Sequence, residues 1–307
     1  MSSVRTAFGL PKPILGAPLV IARTAWVLFP LTVVGVTVQL VSSFLTRDVP
    51  PFWTPERADR VILLMTQGRP VEAVHLAHDS INAWLVRVGM DEIMQLVGVS
   101  LVVAAATYQI LGRDARLSTL LRFLLRKAVR LFAIWFVSRG IVACIVGAGA
   151  LMILSSEHRP HLLMWGAAVM FVGATAGLVS VLLLFAALPI VVVEHATVPR
   201  SLARSSLLAL RRMPAAIGTV ALVFLTSWLV GVVVGGGTHL VAAGIETSWP
   251  VLGIRHGVSA ALSTAMSAVL YLLRYLDTRA RKEGYGRADL AIEFGGGPAT
   301  TPRATPA

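Results

Sequence analysis

The chain has 307 residues, of which 56% are hydrophobic and only 14% are charged. Soluble globular proteins carry about a quarter of their residues as Asp, Glu, Lys and Arg. This composition and a mean hydropathy of +0.78 therefore exclude an ordinary water-soluble globular protein. The formal net charge of +12 would indicate nucleic-acid binding in a soluble protein, but in an apolar chain it is typical of basic cytoplasmic connections, and we expect no nucleic-acid partner.

Six apolar segments are long enough, or nearly so, to cross a membrane as helices. An apolar run of about 18 residues or more predicts such a span. The segments occupy residues 24–45, 93–111, 131–154, 162–193, 213–245 and 257–273. The third contains a charged residue, Arg139. The sequence therefore predicts an all-α fold, a polytopic membrane bundle of about six transmembrane helices.

The connections between these segments alternate in charge. Residues 112–130, residues 194–212 and the segment after residue 273 are rich in Arg, whereas the other connections are balanced or poor in basic residues. Cytoplasmic connections collect Lys and Arg. With six spans, the alternation predicts that both termini lie in the cytoplasm.

The first outer connection, about residues 46–90, is long enough to form structure of its own. Its apolar residues recur at helical spacing on both sides of Gly68 and Pro70, which predicts two short amphipathic helices interrupted there. We expect them on the outer membrane surface or capping the bundle. Residues 1–294 are predicted to form a single integral membrane domain, and residues 295–307, rich in Gly, Pro, Thr and Ala, a disordered tail.

Two basic inner connections are predicted to form amphipathic helices at the membrane interface. In the first, Arg122, Arg126 and Arg130 recur every four residues and share one face. In the second, Arg200 and Arg204 share a face in the same way. Two interpretations stay open: these charges only set the topology, or they contact anionic lipids or partner proteins at the inner surface.

Two stretches resemble a known family of bacterial membrane proteins. The first is LPIVVVEH at 188–195, followed by SLARSS at 201–206, and the second is YLLRYLDTRARKEGY at 271–285. Both are similar to the family related to the membrane domain of glycerophosphoryl diester phosphodiesterases. The resemblance implies a six-span helical bundle. It implies no activity, because catalysis in those enzymes resides in a separate soluble domain.

The second stretch also has a direct physical interpretation. Asp277 and Arg281 lie four residues apart, as do Arg279 and Glu283, so each pair can form an ion pair on one helix face. Gly284 can then end the helix. These pairs would anchor the inner end of the sixth span and dock it on the basic helices.

Histidine and cysteine give little indication of metal chemistry. His75 with His78, and His158 with His161, have spacings at which two helical histidines could bind a metal. This spacing lacks the specificity of a signature such as H-E-x-x-H, so we interpret them as solvated loop histidines and predict no metal or cofactor. Cys144 is the only cysteine, which excludes a disulfide within the chain.

Glycine spacing indicates where helices can approach closely. Gly173 and Gly177 form one small-xxx-small pair, and Gly231 and Gly235 form another. The run 235–237 could instead interrupt the fifth span at a substrate site, as transporters do. We favour simple packing, since glycine is common in membrane helices.

Arg139 is the one charge that lies deep in a predicted span, and it needs a partner. It falls about eight residues past the start of the third span, or roughly 12 Å at 1.5 Å per residue. Glu194 follows the fourth span, where Pro189 can bend the helix inward. We predict a structural ion pair between Arg139 and Glu194, with contact to a substrate in a polar cavity as the alternative.

These observations favour a multi-pass protein of the bacterial cytoplasmic membrane. The function predicted from sequence is a non-enzymatic scaffold or accessory to other membrane components, and an enzyme is the least favoured interpretation. The alternative is a transporter or permease-like protein for a small or lipidic substrate. The expected partners are membrane lipids, anionic ones among them, and other membrane proteins.

Overall fold

The computed structural model describes residues 20, 24–46, 59–60, 63–64, 66–113, 116–155, 159, 161–241 and 249–295. All regular structure within them is helical, which confirms the predicted all-α fold. Ten α-helices and one π-helical turn are described: α1 Ala25–Leu45, α2 Pro70–Ile110, α3 Leu117–Trp135, the π turn Phe136–Gly140, α4 Ile141–Leu154, α5 His161–Leu184, α6 Ala187–Glu194, α7 Val198–Leu210, α8 Met213–Val241, α9 Trp249–Glu283 and α10 Arg287–Phe294.

Six helical segments of the described chain are long and apolar enough to cross a membrane. They are Ala25–Leu45, Val88–Ile110, Leu117–Ile153, His161–Glu194, Met213–Gly235 and Trp249–Glu283. The prediction of a polytopic helical bundle with six candidate spans is therefore confirmed. The predicted tail lies outside the described residues from 296 onward.

The predicted boundary between the outer connection and the second span is wrong. Helix α2 begins at Pro70 and continues unbroken to Ile110, so the second amphipathic segment and the span form one helix of 41 residues. The predicted interruption before it is confirmed. Gly68 adopts φ +71°, and Pro70 occupies the first helical turn, where its missing N–H costs nothing.

Helices α1, α2 and α9 form the most tightly packed part of the bundle. A Cβ atom on Gly257 would lie 2.4 Å from the Cα of Val36, and one on Gly98 would lie 2.7 Å from the methyl of Thr264. Real side chains do not approach so closely, so glycine lets the backbones of α1 and α9 touch. Gly253 likewise packs against Leu40, which makes α1 and α9 antiparallel.

Helices α4 and α5 form a hairpin that packs mainly on itself. Cβ atoms built on Gly149, Gly166 and Gly173 would all lie under 3.0 Å from the opposite helix. The predicted close packing at Gly173 is therefore confirmed. Gly231 has open space around it, and α8 runs continuously through residues 235–237, so the fifth span is not interrupted there.

The short helix α6 lies where the ends of several other helices meet. It contacts α2, α3, α7, α9 and α10, and Ile190 to Val193 are fully buried. The fourth candidate span breaks at Phe185 and Ala186 before α6 begins. Pro189 explains the break, since it has no N–H and its ring clashes with the carbonyl four residues earlier. Ser205 of α7 fills the gap: its hydroxyl donates to the Leu183 carbonyl at 2.9 Å and accepts the Ala186 N–H at 3.2 Å.

Candidate functional site

A dense group of charged and phenolic side chains joins the inner ends of four helices. We call it the inner polar cluster; it consists of Glu194 from α6, Arg204 from α7, Tyr275, Arg279 and Glu283 from α9, Tyr285 from the turn that follows, and Glu293 from α10. Nearly all of these residues come from the two stretches that carry the family resemblance. Residues up to 99 positions apart in sequence, Glu194 and Glu293, therefore form one site.

Arg279 lies at the centre of the inner polar cluster, and its side chain is 5% exposed. Its guanidinium donates to both carboxylate oxygens of Glu293, at 2.6 and 3.1 Å, and to Glu283 at 2.8 Å. The Tyr285 ring lies 3.5 Å from its Cζ atom, close enough for a cation–π contact. The predicted pairs of Arg279 with Glu283 and of Arg281 with Asp277 are both confirmed.

Glu194 is held by one hydrogen bond and two ion pairs from two helices. The Tyr275 hydroxyl donates to one carboxylate oxygen, the Arg204 guanidinium lies 3.2 Å from the other, and Arg279 lies 3.6 Å away. Arg204 also forms a bidentate contact with Glu283 at 2.7 and 2.8 Å. Almost every buried charge here has an opposite charge beside it. The inner polar cluster therefore holds the helices together and leaves few polar groups free to bind a ligand.

Burial raises the pKa of the Tyr285 hydroxyl above its ordinary value. The hydroxyl therefore stays protonated and donates to Glu293 at 2.8 Å. No role is predicted from the sequence for Tyr285, which directly follows the glycine predicted to end the helix. That glycine, Gly284, does end α9 and has φ +60°, so the prediction for it is confirmed.

A second group fastens the carboxyl end of α6. The buried Lys127 ammonium donates to the carbonyls of Val191 and Val192 at 2.9 and 2.7 Å, which lack partners inside such a short helix. His195 follows with φ +55°, and its Nε2 lies 3.4 Å from the Phe294 carbonyl. Burial, assisted by the charge of Lys127, lowers the pKa of His195.

The predicted ion pair between Arg139 and Glu194 is wrong. Arg139 lies 3.2 Å from the carboxylate of Glu92, while Glu194 belongs to the inner polar cluster. The sequence did not predict Glu92 as the partner, because the uncharged apolar run begins only at residue 93. Helix α2 starts more than twenty residues earlier, so Glu92 falls within the candidate span Val88–Ile110.

Arg139 and Glu92 lie at a cleft between α2, the α3–α4 helix, the α5–α6 break and α9. The cleft is small and open on one side, with a cavity volume of about 50 Å³. Its polar wall is formed by Glu92, Gln95, Trp135, Ser138, Arg139, Ser180 and Tyr271, and its apolar wall by Leu96, Val99, Ile134, Val181, Leu184, Phe185 and Leu188. The alternative prediction, that Arg139 faces a polar cavity, agrees with this placement.

Two helix irregularities border the cleft. The π turn Phe136–Gly140 carries Ser138 and Arg139, and the break at Phe185 and Ala186 lies opposite. A π turn inserts an extra residue and weakens the local backbone bonds, and the Ser180 hydroxyl donates to the Ser138 carbonyl there. Trp135 donates its indole N–H to Glu92 at 3.1 Å, which leaves that carboxylate engaged through both oxygens.

The five arginines predicted to contact lipid divide into two sets. Arg122, Arg126 and Arg200 are exposed. Arg130 is also exposed and donates to the His195 carbonyl at 3.1 Å. For Arg204 the prediction of an inner-surface contact is wrong, because its side chain turns toward Glu194 and Glu283 in the inner polar cluster. Helical spacing predicted the shared face of Arg200 and Arg204 and could not show which neighbours it meets.

Of the four paired histidines, only His161 has a side chain that the structure describes. His161 is exposed at the start of α5; His158 and the side chains of His75 and His78 lie outside what the structure describes. Among the described residues, no group of three or more His, Cys, Asp or Glu side chains could hold a metal. Cys144 is exposed on α4.

The helices and the cleft define a class: a polytopic α-helical bundle whose inner ends are fastened by buried ion pairs and whose middle contains a partly polar cleft. Comparisons with known protein families, with curated proteins and with solved structures gave no match. The function is therefore argued from the cleft.

Proposed function

We propose that this chain binds a small or lipidic molecule between its helices, as a transporter or permease-like protein of the bacterial cytoplasmic membrane. The observation that carries the proposal is the cleft at Arg139. A charged pair and two helix irregularities converge there within candidate membrane spans. Sequence alone favoured a scaffold, but the geometry of the cleft favours binding.

The energetic argument starts from the cost of these features in a membrane. An arginine deep in a span costs at least about 2.5 kcal/mol on insertion scales, and irregular backbone at membrane depth is tolerated where it is buried or lines a cavity. Arg139 is 34% exposed at its side chain, so the pair with Glu92 does not seal it off. Interrupted helices that border a polar site are how many transporters hold substrates.

Filling the cleft tests this proposal. Val181 lines it, whereas Val179, two residues away on α5, is exposed on another face. Molecules that co-purify with each protein can be extracted and identified by mass spectrometry. We expect the wild type and Val179→Trp to retain species that are missing from the extract of Val181→Trp. Identical extracts from all three folded proteins would contradict binding in the cleft.

A scaffold is the second candidate, and the exposed surface of α8 favours it. Phe224 and Trp228 are more than 60% exposed, and Gly218 and Gly231 leave open space beside them. A helix of another membrane protein could pack here. We expect a defined partner to co-purify in mild detergent and to be lost from Trp228→Ala, with Trp165→Ala on α5 as the control. Equal retention by both variants would count against this surface.

The location and the orientation belong to the same proposal. The basic helices α3 and α7 and the helix α9, whose last turn carries Arg281 and Lys282, all contact α6. Their charges therefore lie at one end of the bundle, and the positive-inside rule supports a cytoplasmic position. Exposed Arg122 and Arg126 would contact anionic lipid, at about 1 kcal/mol per residue. We expect Arg122→Gln with Arg126→Gln to lower retained anionic lipid, and Arg69→Gln, far along the chain, to leave it unchanged.

We also propose kinship with the family related to the membrane domain of glycerophosphoryl diester phosphodiesterases. What supports it is that the two resembling stretches supply Glu194, Arg204, Tyr275, Arg279 and Glu283, which pack together. Contact among motifs that are separated in sequence is what a shared fold would require. Deep mutational scanning for correct membrane assembly would test it: we expect these positions to tolerate fewer substitutions than neighbours such as Lys282.

A further inference from the structure

The polar wall of the cleft has more hydrogen-bond donors than acceptors to receive them. An arginine side chain carries five N–H donors, yet the only hydrogen bond that Arg139 makes within the described chain is the one to Glu92 at 3.2 Å. The Tyr271 hydroxyl and the Gln95 amide, on the same wall, form no hydrogen bond with any described residue.

Glu92 already accepts one hydrogen bond on each of its two oxygens. One of its oxygens receives Arg139, and the other receives the Trp135 indole at 3.1 Å. The carboxylate fixes the guanidinium from one side, and the remaining guanidinium donors are left for something else. Groups that a bundle leaves unsatisfied at a cleft are the groups that a ligand can satisfy.

The rest of the cleft is apolar. Leu96, Val99, Val181 and Leu184 line it beyond the polar wall, and the Phe185 and Tyr271 rings contact each other with centroids 6.1 Å apart. A ligand that satisfies both parts has a compact acceptor at one end and a hydrocarbon portion at the other.

We infer that the cleft takes an anionic amphiphile, with its carboxylate or phosphate oxyanion at Arg139 and Tyr271 and its hydrocarbon chain among the residues of α2 and α5. This rests on the proposed function and names its substrate class. Arginine suits both anions because its planar guanidinium donates two parallel hydrogen bonds to a carboxylate or a phosphate. Gln95 adds an uncharged donor beside them.

Four probes of matched chain length test the class of headgroup. They are a fatty acid, a lysophospholipid with an anionic headgroup, a fatty alcohol and an alkyltrimethylammonium, each used to displace a fluorescent fatty acid from the purified protein. We expect the first two to displace it at least about tenfold better than the others, since a charge-assisted pair is lost with the neutral and cationic probes. Preference between the first two separates a free carboxylate from a lipid phosphate.

The variants locate the effect at Arg139. We expect Arg139→Gln to weaken the anionic probes about tenfold while the alcohol is unchanged, and Arg139→Lys to restore part of the loss. Arg69→Gln, which removes the same charge from an exposed position just before α2, should have no effect. If Arg139→Gln does not fold, Tyr271→Phe removes only a hydroxyl and should still weaken the anionic probes by several fold.

The outcomes separate this inference from the proposed function. If all four probes bind alike and Val181→Trp abolishes all of them, the cleft binds amphiphiles but the preference for anions is overturned. If Arg69→Gln weakens binding as much as Arg139→Gln, surface charge explains the effect and the inference falls. If Val181→Trp binds every probe as well as the wild type does, both the inference and the proposed function fail.

Discussion

The guanidinium of Arg139 lies 3.2 Å from the carboxylate of Glu92 and joins the α3–α4 helix to α2 within two candidate spans. It is a partly exposed pair, with side-chain exposures of 34% and 19%. Its position beside a cleft, and not in the inner polar cluster, distinguishes it from the ion pairs of that cluster.

Removing either partner should destabilise the protein, and removing both should cost less than the sum. We expect Arg139→Leu and Glu92→Leu to show a coupling energy of about 0.5–3 kcal/mol, measured by thermal unfolding in detergent. Arg139→Leu combined with Glu194→Gln is the matched control. These two share no partner, so their effects should add, and a coupling there instead would mean that the pairing is misassigned.

Arg279 should be far more important for stability than a neighbouring cation on the same helix. Arg279→Met leaves the buried Glu293 without its main partner and removes one of the two cations beside Glu283, and it should cost about 3–5 kcal/mol. Lys282 is exposed, so Lys282→Met should change stability by no more than about 0.5 kcal/mol. Unfolding by heat or denaturant in one detergent compares the two, and similar losses would contradict the role of the inner polar cluster.

Lowering the pH should destabilise the packing around α6, because His195 becomes protonated. The pKa of His195 is lowered in the folded protein, so the unfolded chain binds the proton more readily. Its contribution is therefore complete above the ordinary histidine pKa of about 6.5 and is lost as pH falls from there toward the folded value. The wild type should lose more thermal stability between pH 7.5 and pH 5.5 than His195→Asn does, because asparagine tolerates the same backbone conformation.

The groups around His195 define the control for that measurement. Lys127 and Arg130 from α3 and the preceding Glu194 surround it, with the Phe294 carbonyl at its Nε2. His161→Asn changes an exposed histidine at the far end of α5 and should keep the pH dependence of the wild type. An unchanged profile for His195→Asn would rule out His195 as its source.

Close backbone contact should make Gly257 intolerant of even one methyl group. A Cβ there would lie 2.4 Å from the Cα of Val36, so Gly257→Ala should separate α1 from α9 and cost about 1–3 kcal/mol. Gly231→Ala meets open space and should be neutral or stabilise slightly, since alanine favours helix by up to about 1 kcal/mol. The thermal midpoints of the two variants in detergent give the comparison; equal effects would contradict the packing.

The sequence determined the features that depend on local composition. Apolar runs give the candidate spans, because length and hydropathy are properties of a segment on its own. Residues four apart on one helix gave the pairs of Asp277 with Arg281 and of Arg279 with Glu283. Gly284 and Gly68 marked turns, because only glycine adopts a positive φ without cost.

Only the tertiary structure decided which charges meet across helices. Depth in the span predicted Glu194 as the partner of Arg139, whereas the actual partner, Glu92, depends on the helical continuation of α2 and on the extra residue of the π turn. Arg204, assigned to the membrane surface by its spacing, faces Glu194 because α6 bends inward at Pro189. Periodicity fixes the face of a helix on which a residue lies, but the neighbour of that face is set by packing among segments that are distant in the chain.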